Sequence, residues 1–333
     1  MPEILYLFLR LFGGVALFLF GMRVMNDTLR YAAGARLGDL LHRLTKNPLG
    51  GYLRGVGVTA AIQSSNAVTV TVVGFVDAGL LTLGEALYVI MGSNLGTTAT
   101  AWLLAVSEIG KNATTVLSFF SPAVLSPLSA LVGIFFYLSP GGKRRSAGGI
   151  LLGFAVLLFG MNEMSEAAHG FSGYPFFRDM FLRYMHPLLG VAVGAVITAV
   201  IQSSSAAVGI LQALSVGTVM TVRSAFPLIM GLNIGACITT LIAAVGTSDN
   251  AKKAALLHLY FNLFGTAVWL PVFLIVAMFR PAFADAAVNP VYIAALHSLF
   301  QIATAVLLLP LKRLLLFCAG KTVLLFQKKE KEM

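Results

Sequence analysis

The tripeptide Gln-Ser-Ser occurs at Gln63-Ser64-Ser65 and again at Gln202-Ser203-Ser204, and the sequence around it repeats at the same offset of 139. Pro48 pairs with Pro187, Gly55 with Gly194 and Thr59 with Thr198. Further on, Ile90-Met91-Gly92 pairs with Ile229-Met230-Gly231, Asn94 with Asn233, Gly96 with Gly235 and Thr100 with Thr239. Upstream, Leu19-Phe20-Gly21-Met22 pairs with Leu158-Phe159-Gly160-Met161. About 20 of the 59 positions in 47–105 match their partners in 186–244 without a gap. The chain must therefore fold one structural unit twice. A polar, glycine-rich segment duplicated inside an apolar chain is the mark of a transporter built from internal repeats, with its site where they meet.

The chain is 58% hydrophobic and 11% charged, with a mean hydropathy of +0.88, whereas a soluble domain carries roughly 25% charged residues. The expectation is an integral membrane protein. Cys237 and Cys318 both lie in apolar sequence, so neither a disulfide framework nor a metal cluster is indicated. The net charge of +10 is carried by loops and the C-terminus, as the positive-inside rule describes, and not by a face suited to nucleic acid. The Lys and Arg residues of 312–331 suit anionic lipid headgroups. The first apolar run, Ile4–Met22, is too long for a signal-peptide core and follows Glu3, so it reads as a retained membrane helix.

Apolar spans are expected at Ile4–Met22, Ala113–Tyr137, Ala147–Met164, Ala254–Met278 and Val291–Pro310, each near the roughly 20 residues a helix needs to cross. The duplicated segments differ. Pro48–Val76 and Pro187–Ser215 are too short for two crossings and polar at their centres, so each suits a re-entrant pair of half-helices. The next segments are interrupted at Gly92–Gly96 and Gly231–Gly235 and read as broken helices, whose unwound backbone protein or water must satisfy. The expected fold is an all-α polytopic membrane protein of two inverted-topology repeats. Repeat 1 covers 1–140, with a hairpin at 48–76 and a broken helix at 80–105. Repeat 2 covers 146–280, with a hairpin at 187–215 and a broken helix at 219–245. An additional helix covers 290–311, and 312–333 is a basic cytoplasmic tail. Inversion is suggested by charge. Loop 23–54 sets Arg23, Arg30, Arg36, Arg43, Lys46 and Arg54 against Asp27 and Asp39, whereas its counterpart 162–187 sets Arg178 and Arg183 against Glu163, Glu166 and Asp179.

Acidic residues fall at the ends of these expected spans, consistent with a cost of at least ~2.5–3.5 kcal/mol for a charge at a helix centre. Proton coupling normally needs a mid-membrane carboxylate. Na⁺ can instead be held by Gln and Asn carbonyls, Ser and Thr hydroxyls and free backbone carbonyls, all of which the motif supplies. Half-helix N-termini offer N–H groups and positive dipole ends to an anion. The anion candidates are Gln63, Ser64, Ser65, Asn66, Asn94, Gln202, Ser203, Ser204, Ser205 and Asn233. The Na⁺ candidates are Gln63, Ser65, Asn94, Thr98, Gln202, Ser204, Asn233 and Thr239. Each has a bland alternative. The glutamines can glue helices together, the asparagines can cap helix breaks, and the threonines can bond their own helix carbonyls. No catalytic triad or nucleotide-binding loop is apparent, so no enzymatic role is expected.

Gln-Ser-Ser-[Ser/Asn] in both halves, followed by Gly-x-Asn-[Leu/Ile]-Gly, resembles the type II sodium/phosphate cotransporter family. His258-Leu259-Tyr260-Phe261-Asn262 is similar to that family's His-x-x-Phe-Asn segment. The resemblance implies Na⁺-driven transport of inorganic phosphate, both Gln-Ser-Ser turns forming the site, in a multi-pass protein of a bacterial inner membrane. The first half departs from the pattern. It reads Phe119-Phe120-Ser121-Pro122-Ala123 where His-x-x-Phe-Asn belongs, and 113–137 contains no acid. Phosphate export, carriage of another oxyanion such as sulfate, and an uncoupled channel or signalling subunit remain as alternatives.

Overall fold

The computed structural model describes residues 2–33, 47–109, 121–174, 186–217 and 220–332, and every named element among them is a helix. These are α1 (Pro2–Ala33), α2 (Pro48–Ile62), α3 (Ser65–Asp77), α4 (Leu83–Ile109), α5 (Pro122–Leu138), α6 (Gly142–Ser172), α7 (Pro187–Ile201), α8 (Ser204–Gly217), α9 (Val222–Ala243), α10 (Asp249–Phe279), α11 (Pro281–Ala284), α12 (Pro290–Leu308) and α13 (Lys312–Glu332). Among them α1, α4, α6, α9, α10 and α12 are long and apolar enough to cross a membrane. Large apolar side chains face outward, including Leu9, Phe135, Val200, Met278 and Val306. A surface of this kind suits lipid, since a soluble monomer rarely exposes large contiguous apolar patches.

The duplication is visible helix by helix. α1 matches α6, α2 matches α7, α3 matches α8 and α4 matches α9. α1 and α6 pack antiparallel through paired glycines. A Cβ on Gly14 would meet Gly160 O at 2.9 Å, and one on Gly160 would meet Gly14 O at 2.6 Å. Gly21 and Gly153 stand in the same relation, at 2.6 and 2.8 Å. Gly14 and Gly153 are equivalent positions, as are Gly21 and Gly160, so the pairing is self-complementary.

Pro48 and Pro187 start α2 and α7, where a missing N–H costs nothing. α2 then runs parallel to α4, with Gly51 against Tyr88, Gly55 against Val89 and Ser93, and Gly96 against Thr59. Only Ala78–Thr82 separates the end of α3 from the start of α4, and five residues reach under about 20 Å. Hence α3 must return to the end where α2 began, and the two form a helical hairpin closed at Gln63-Ser64. α7 and α9 repeat this geometry, with Gly194 against Leu228 and Gly235 against Thr198.

One expectation needs correction. The segments expected to break are continuous helices through Gly92–Gly96 and Gly231–Gly235. Their glycines instead admit a neighbouring backbone: a Cβ on Gly92 would lie 1.9 Å from Tyr52 O, and one on Gly231 2.0 Å from Val191 O. This is the small-residue packing of membrane helices. The basic segment 312–332 is helical. It forms α13, burying Leu315, Ala319 and Val323, with Leu315 and Ala319 packed against Leu257 and Phe261. Glu163 lies within α6. Arg10 of α1 donates to it at 2.8 Å, which offsets the cost of either charge alone. The loop-charge contrast falls largely on 34–46 and 175–185, outside the described residues.

Candidate functional site

Both Gln-Ser-Ser turns are built in the same strained way. Gln63 (φ 54°) and Gln202 (φ 56°) are the C-caps of α2 and α7 and hold the left-handed conformation. They are the non-glycine residues with positive φ among those described, and bulky residues rarely accept it. The serine that follows caps the next helix: Ser64 Oγ accepts from Ala67 N at 3.3 Å and Ser203 Oγ from Ala206 N at 3.2 Å. Each hairpin therefore reverses within a residue or two and presents the N-terminus of a half-length helix at its tip.

The two tips meet. Asn66 Nδ2 donates to Gln202 O at 2.6 Å and to Thr239 Oγ1 at 3.1 Å. Thr100, the equivalent of Thr239, donates to Gln63 Oε1 at 2.6 Å and to Ser205 Oγ at 3.4 Å. Asn66 and Ser205 are themselves equivalent, so the bonds from Asn66 and the bond from Thr100 to Ser205 cross the duplication in both directions. Thr69 on α3 also meets Thr240 on α9 at 3.0 Å.

A cavity of about 630 Å³ opens at this junction. Gln63, Ser64, Ser65, Asn66, Gln202, Ser203, Ser204, Ser205 and Thr239 line it, together with Arg23, Asn26, Asp27 and Arg30 of α1. Arg30 Nη2 donates to Ser64 Oγ at 2.5 Å. Asn26 Oδ1 and Asn66 Oδ1 are buried acceptors with no protein donor. The cavity thus offers hydroxyls and cationic nitrogens to an anion, and carbonyl oxygens to a cation. Among the described residues no cluster of His, Cys, Asp or Glu suits a transition-metal site.

The four α1 residues escaped the reading of the sequence, which assigned Arg23 and Arg30 to a loop. Their spacing held the signal: 23, 26, 27 and 30 fall on one helical face. Three expected ligands lie elsewhere. Asn94 accepts from His258 Nε2 at 3.1 Å, and Asn233 accepts from His297 Nε2 at 3.1 Å and Gln301 Nε2 at 2.5 Å. Thr98 Oγ1 donates to Leu95 O at 2.8 Å. The residues lining the cavity do not include these three.

Known proteins resemble this chain along most of its length. YqeW of Bacillus subtilis is 28% identical over 301 residues, covering 90% of this chain and 93% of YqeW. YjbB of Escherichia coli, named for inorganic phosphate export, is 29% identical over 269 residues. That match covers 79% of this chain and 46% of YjbB, so it spans about half of that relative. Sodium-dependent phosphate transport protein 2A of Rattus norvegicus is 31% identical over 140 residues, 38% of this chain and 22% of that protein. No solved structure matches. The Na+/Pi-cotransporter family model matches residues 17–166 and 172–285, across both repeats and both turns, and the chain belongs to that family of multi-pass membrane transport proteins.

Proposed function

We propose that this protein is a secondary transporter that carries inorganic phosphate with Na⁺ by alternating access, in the inner membrane of a bacterium. The observation that carries the reading is a one-sided cavity in a two-fold scaffold. Arg23, Asn26, Asp27 and Arg30 line it from α1. Their equivalents on α6, Asn162, Ser165, Glu166 and His169, are not part of its lining, and Ser165 bonds Met161 O and Ala213 O. Exchange of the two repeats' conformations closes this cavity and opens its counterpart on the other side. Antiparallel α1 and α6 support an inverted topology, because equivalent helices then cross in opposite directions. The hairpins α2–α3 and α7–α8 support re-entry, since 13–15 residues rise only about 20–22 Å against a hydrocarbon core of about 30 Å.

In this reading Ser64, Ser65, Ser203, Ser204 and Arg30 hold phosphate, while Gln63, Gln202, Asn66 and Thr239 offer oxygens to Na⁺. Each ion offsets the other's charge in a site of low dielectric, which makes joint occupancy more favourable than either alone. The test is radiolabelled phosphate uptake into proteoliposomes with an inward Na⁺ gradient, against a pH gradient in Na⁺-free buffer. Accumulation under the pH gradient alone sinks Na⁺ coupling. A second reading, export, takes its support from the name of YjbB; efflux from phosphate-loaded vesicles under opposed Na⁺ gradients separates it from uptake.

A further inference from the structure

A second polar cluster lies outside the cavity, between α9, α10 and α12. Asn233 Oδ1 on α9 accepts from Gln301 Nε2 at 2.5 Å and from His297 Nε2 at 3.1 Å. One turn on, Cys237 Sγ accepts from Asn262 Nδ2 of α10 at 3.4 Å. Asn262 Nδ2 also donates to His258 O at 3.1 Å. These bonds commit the nitrogen of both amides to protein acceptors and leave the oxygens over. Gln301 Oε1 and Asn262 Oδ1 have no protein donor, and neither do Thr304 Oγ1 and Thr266 Oγ1 one turn further along the same two helices. The helices are close here, because a Cβ on Gly265 would lie 2.8 Å from Thr304 Oγ1. Asn262, Gln301 and Thr304 are 0% exposed and Thr266 is 7% exposed.

The matching cluster around Asn94 makes the contrast. There His258 bridges Asn94 Oδ1 at 3.1 Å and Thr240 Oγ1 at 3.0 Å, and the atom left over is a donor, Asn94 Nδ2. The cluster on α10 and α12 leaves four oxygens, besides the ring nitrogen His297 Nδ1. Buried oxygens without donors are costly, and a cation satisfies several at once. Amide and hydroxyl oxygens with no carboxylate among them suit a single positive charge better than a divalent ion, whose sites are built around carboxylates.

We propose that Asn262, Thr266, Gln301 and Thr304 form a monovalent cation site, apart from the Gln-Ser-Ser cavity. The identity of the ion as Na⁺ rests on the Na⁺-coupled reading above. The experiment is binding of radiolabelled Na⁺ to the purified full chain in detergent, without phosphate. Thr304→Val and Thr266→Val each remove one oxygen at nearly constant volume, from different helices, so one covers for the other if either fails to fold. Each is expected to raise the half-saturating Na⁺ concentration about tenfold, or to lower the number of ions bound by one, as loss of a ligand to a charge implies. Thr304→Ser keeps its oxygen and is expected to bind like the unmodified protein. Unchanged binding in both Val variants overturns the proposal and assigns the oxygens to water. Should Na⁺ binding depend on these threonines while phosphate uptake ignores Na⁺, the site stands and coupling falls. Should uptake need Na⁺ while both Val variants bind it normally, coupling stands and the site falls.

Discussion

Asn66 donates its side-chain amide to Thr239 Oγ1 at 3.1 Å, tying the tip of the first hairpin to the second repeat. The same amide reaches Gln202 O at 2.6 Å. The equivalent position in the second repeat, Ser205, reaches Thr100 at 3.4 Å. Asn66→Ala removes two bonds across the junction, each worth ~0.5–1.5 kcal/mol. The phosphate concentration for half-maximal uptake is expected to rise about 5- to 100-fold. Asn66→Ser, which copies the residue of the second repeat, is expected to lose less. An unchanged constant in folded Asn66→Ala would reduce this junction to packing.

Arg30 supplies a formal positive charge beside Ser64. A guanidinium bonds an oxyanion through several N–H groups at once, which a lysine cannot do. Arg30→Gln is expected to raise the phosphate constant about 10- to 100-fold, since hydrogen bonds to charged groups are worth ~1.5–3 kcal/mol. Arg30→Lys should fall between, and its deficit should deepen with added salt as screening weakens the point charge. Steady-state uptake at varied phosphate checks this, with maximal rate read separately. If Arg30→Gln keeps the original constant, the arginine merely caps the turn.

Much of this arrangement was legible before any coordinates. The offset of 139 announced two equivalent units, and the length of Pro48–Val76 suited a pair of half-helices. Local sequence could not tell a broken helix from a packed one. Gly92-x-Asn94-x-Gly96 is compatible with both, and the distance from Gly92 to Tyr52 O decides it through a contact 40 residues away. Arg30 was missed for a related reason. Its charge suggested a loop, but the apolar run before it continues as helix to Ala33, because nothing between Met22 and Arg30 breaks the turn. Asn94 and Asn233 accept bonds from His258 and His297 and do not line the cavity.

The glycine contacts carry their own test. Gly92→Ala and Gly231→Ala place a methyl group about 2 Å from a carbonyl oxygen of the facing helix, so α2 or α7 must move. A loss of ~1–3 kcal/mol is expected from overpacking of this kind, seen as a lower unfolding temperature in detergent. Gly57→Ala is the control. It lies on α2 with nothing within 4 Å of its Cβ, and should be neutral or stabilising by up to ~1 kcal/mol through helix propensity. Equal melting of Gly92→Ala and Gly57→Ala would refute close packing at Gly92.

Arg223 donates to Asp285 at 2.8 Å, and this bond holds the Asp285 carboxyl below its ordinary value of 3.8. A lowered carboxylate contributes stability above its unfolded value and loses it as pH falls through the folded one. Both side chains are exposed, at 41% and 58%, so the contribution is expected to be at most ~1 kcal/mol. Asp285→Asn should therefore melt slightly below the unmodified protein at neutral pH, with the gap closing below pH ~4. A gap that widens in acid would contradict the pairing.

The left-handed glutamines separate strain from function. Gln63 and Gln202 hold φ near +55°, a conformation that costs a residue with a Cβ ~1–2 kcal/mol and glycine almost nothing. Gln63→Gly is therefore expected to be more stable than Gln63→Ala by about 1 kcal/mol, both variants losing the bonds to Thr100 and Ala60. Both variants nonetheless remove the amide, and both are expected to weaken activation by phosphate and by Na⁺ together, because linkage makes that coupling reciprocal. Glycine would be the cheaper turn residue at both positions, and yet glutamine stands at both. Strain retained at a matched pair of turns points to the side chain as its reason. Uptake by Gln63→Gly with unaltered phosphate and Na⁺ dependence would make the glutamine a turn residue and nothing more.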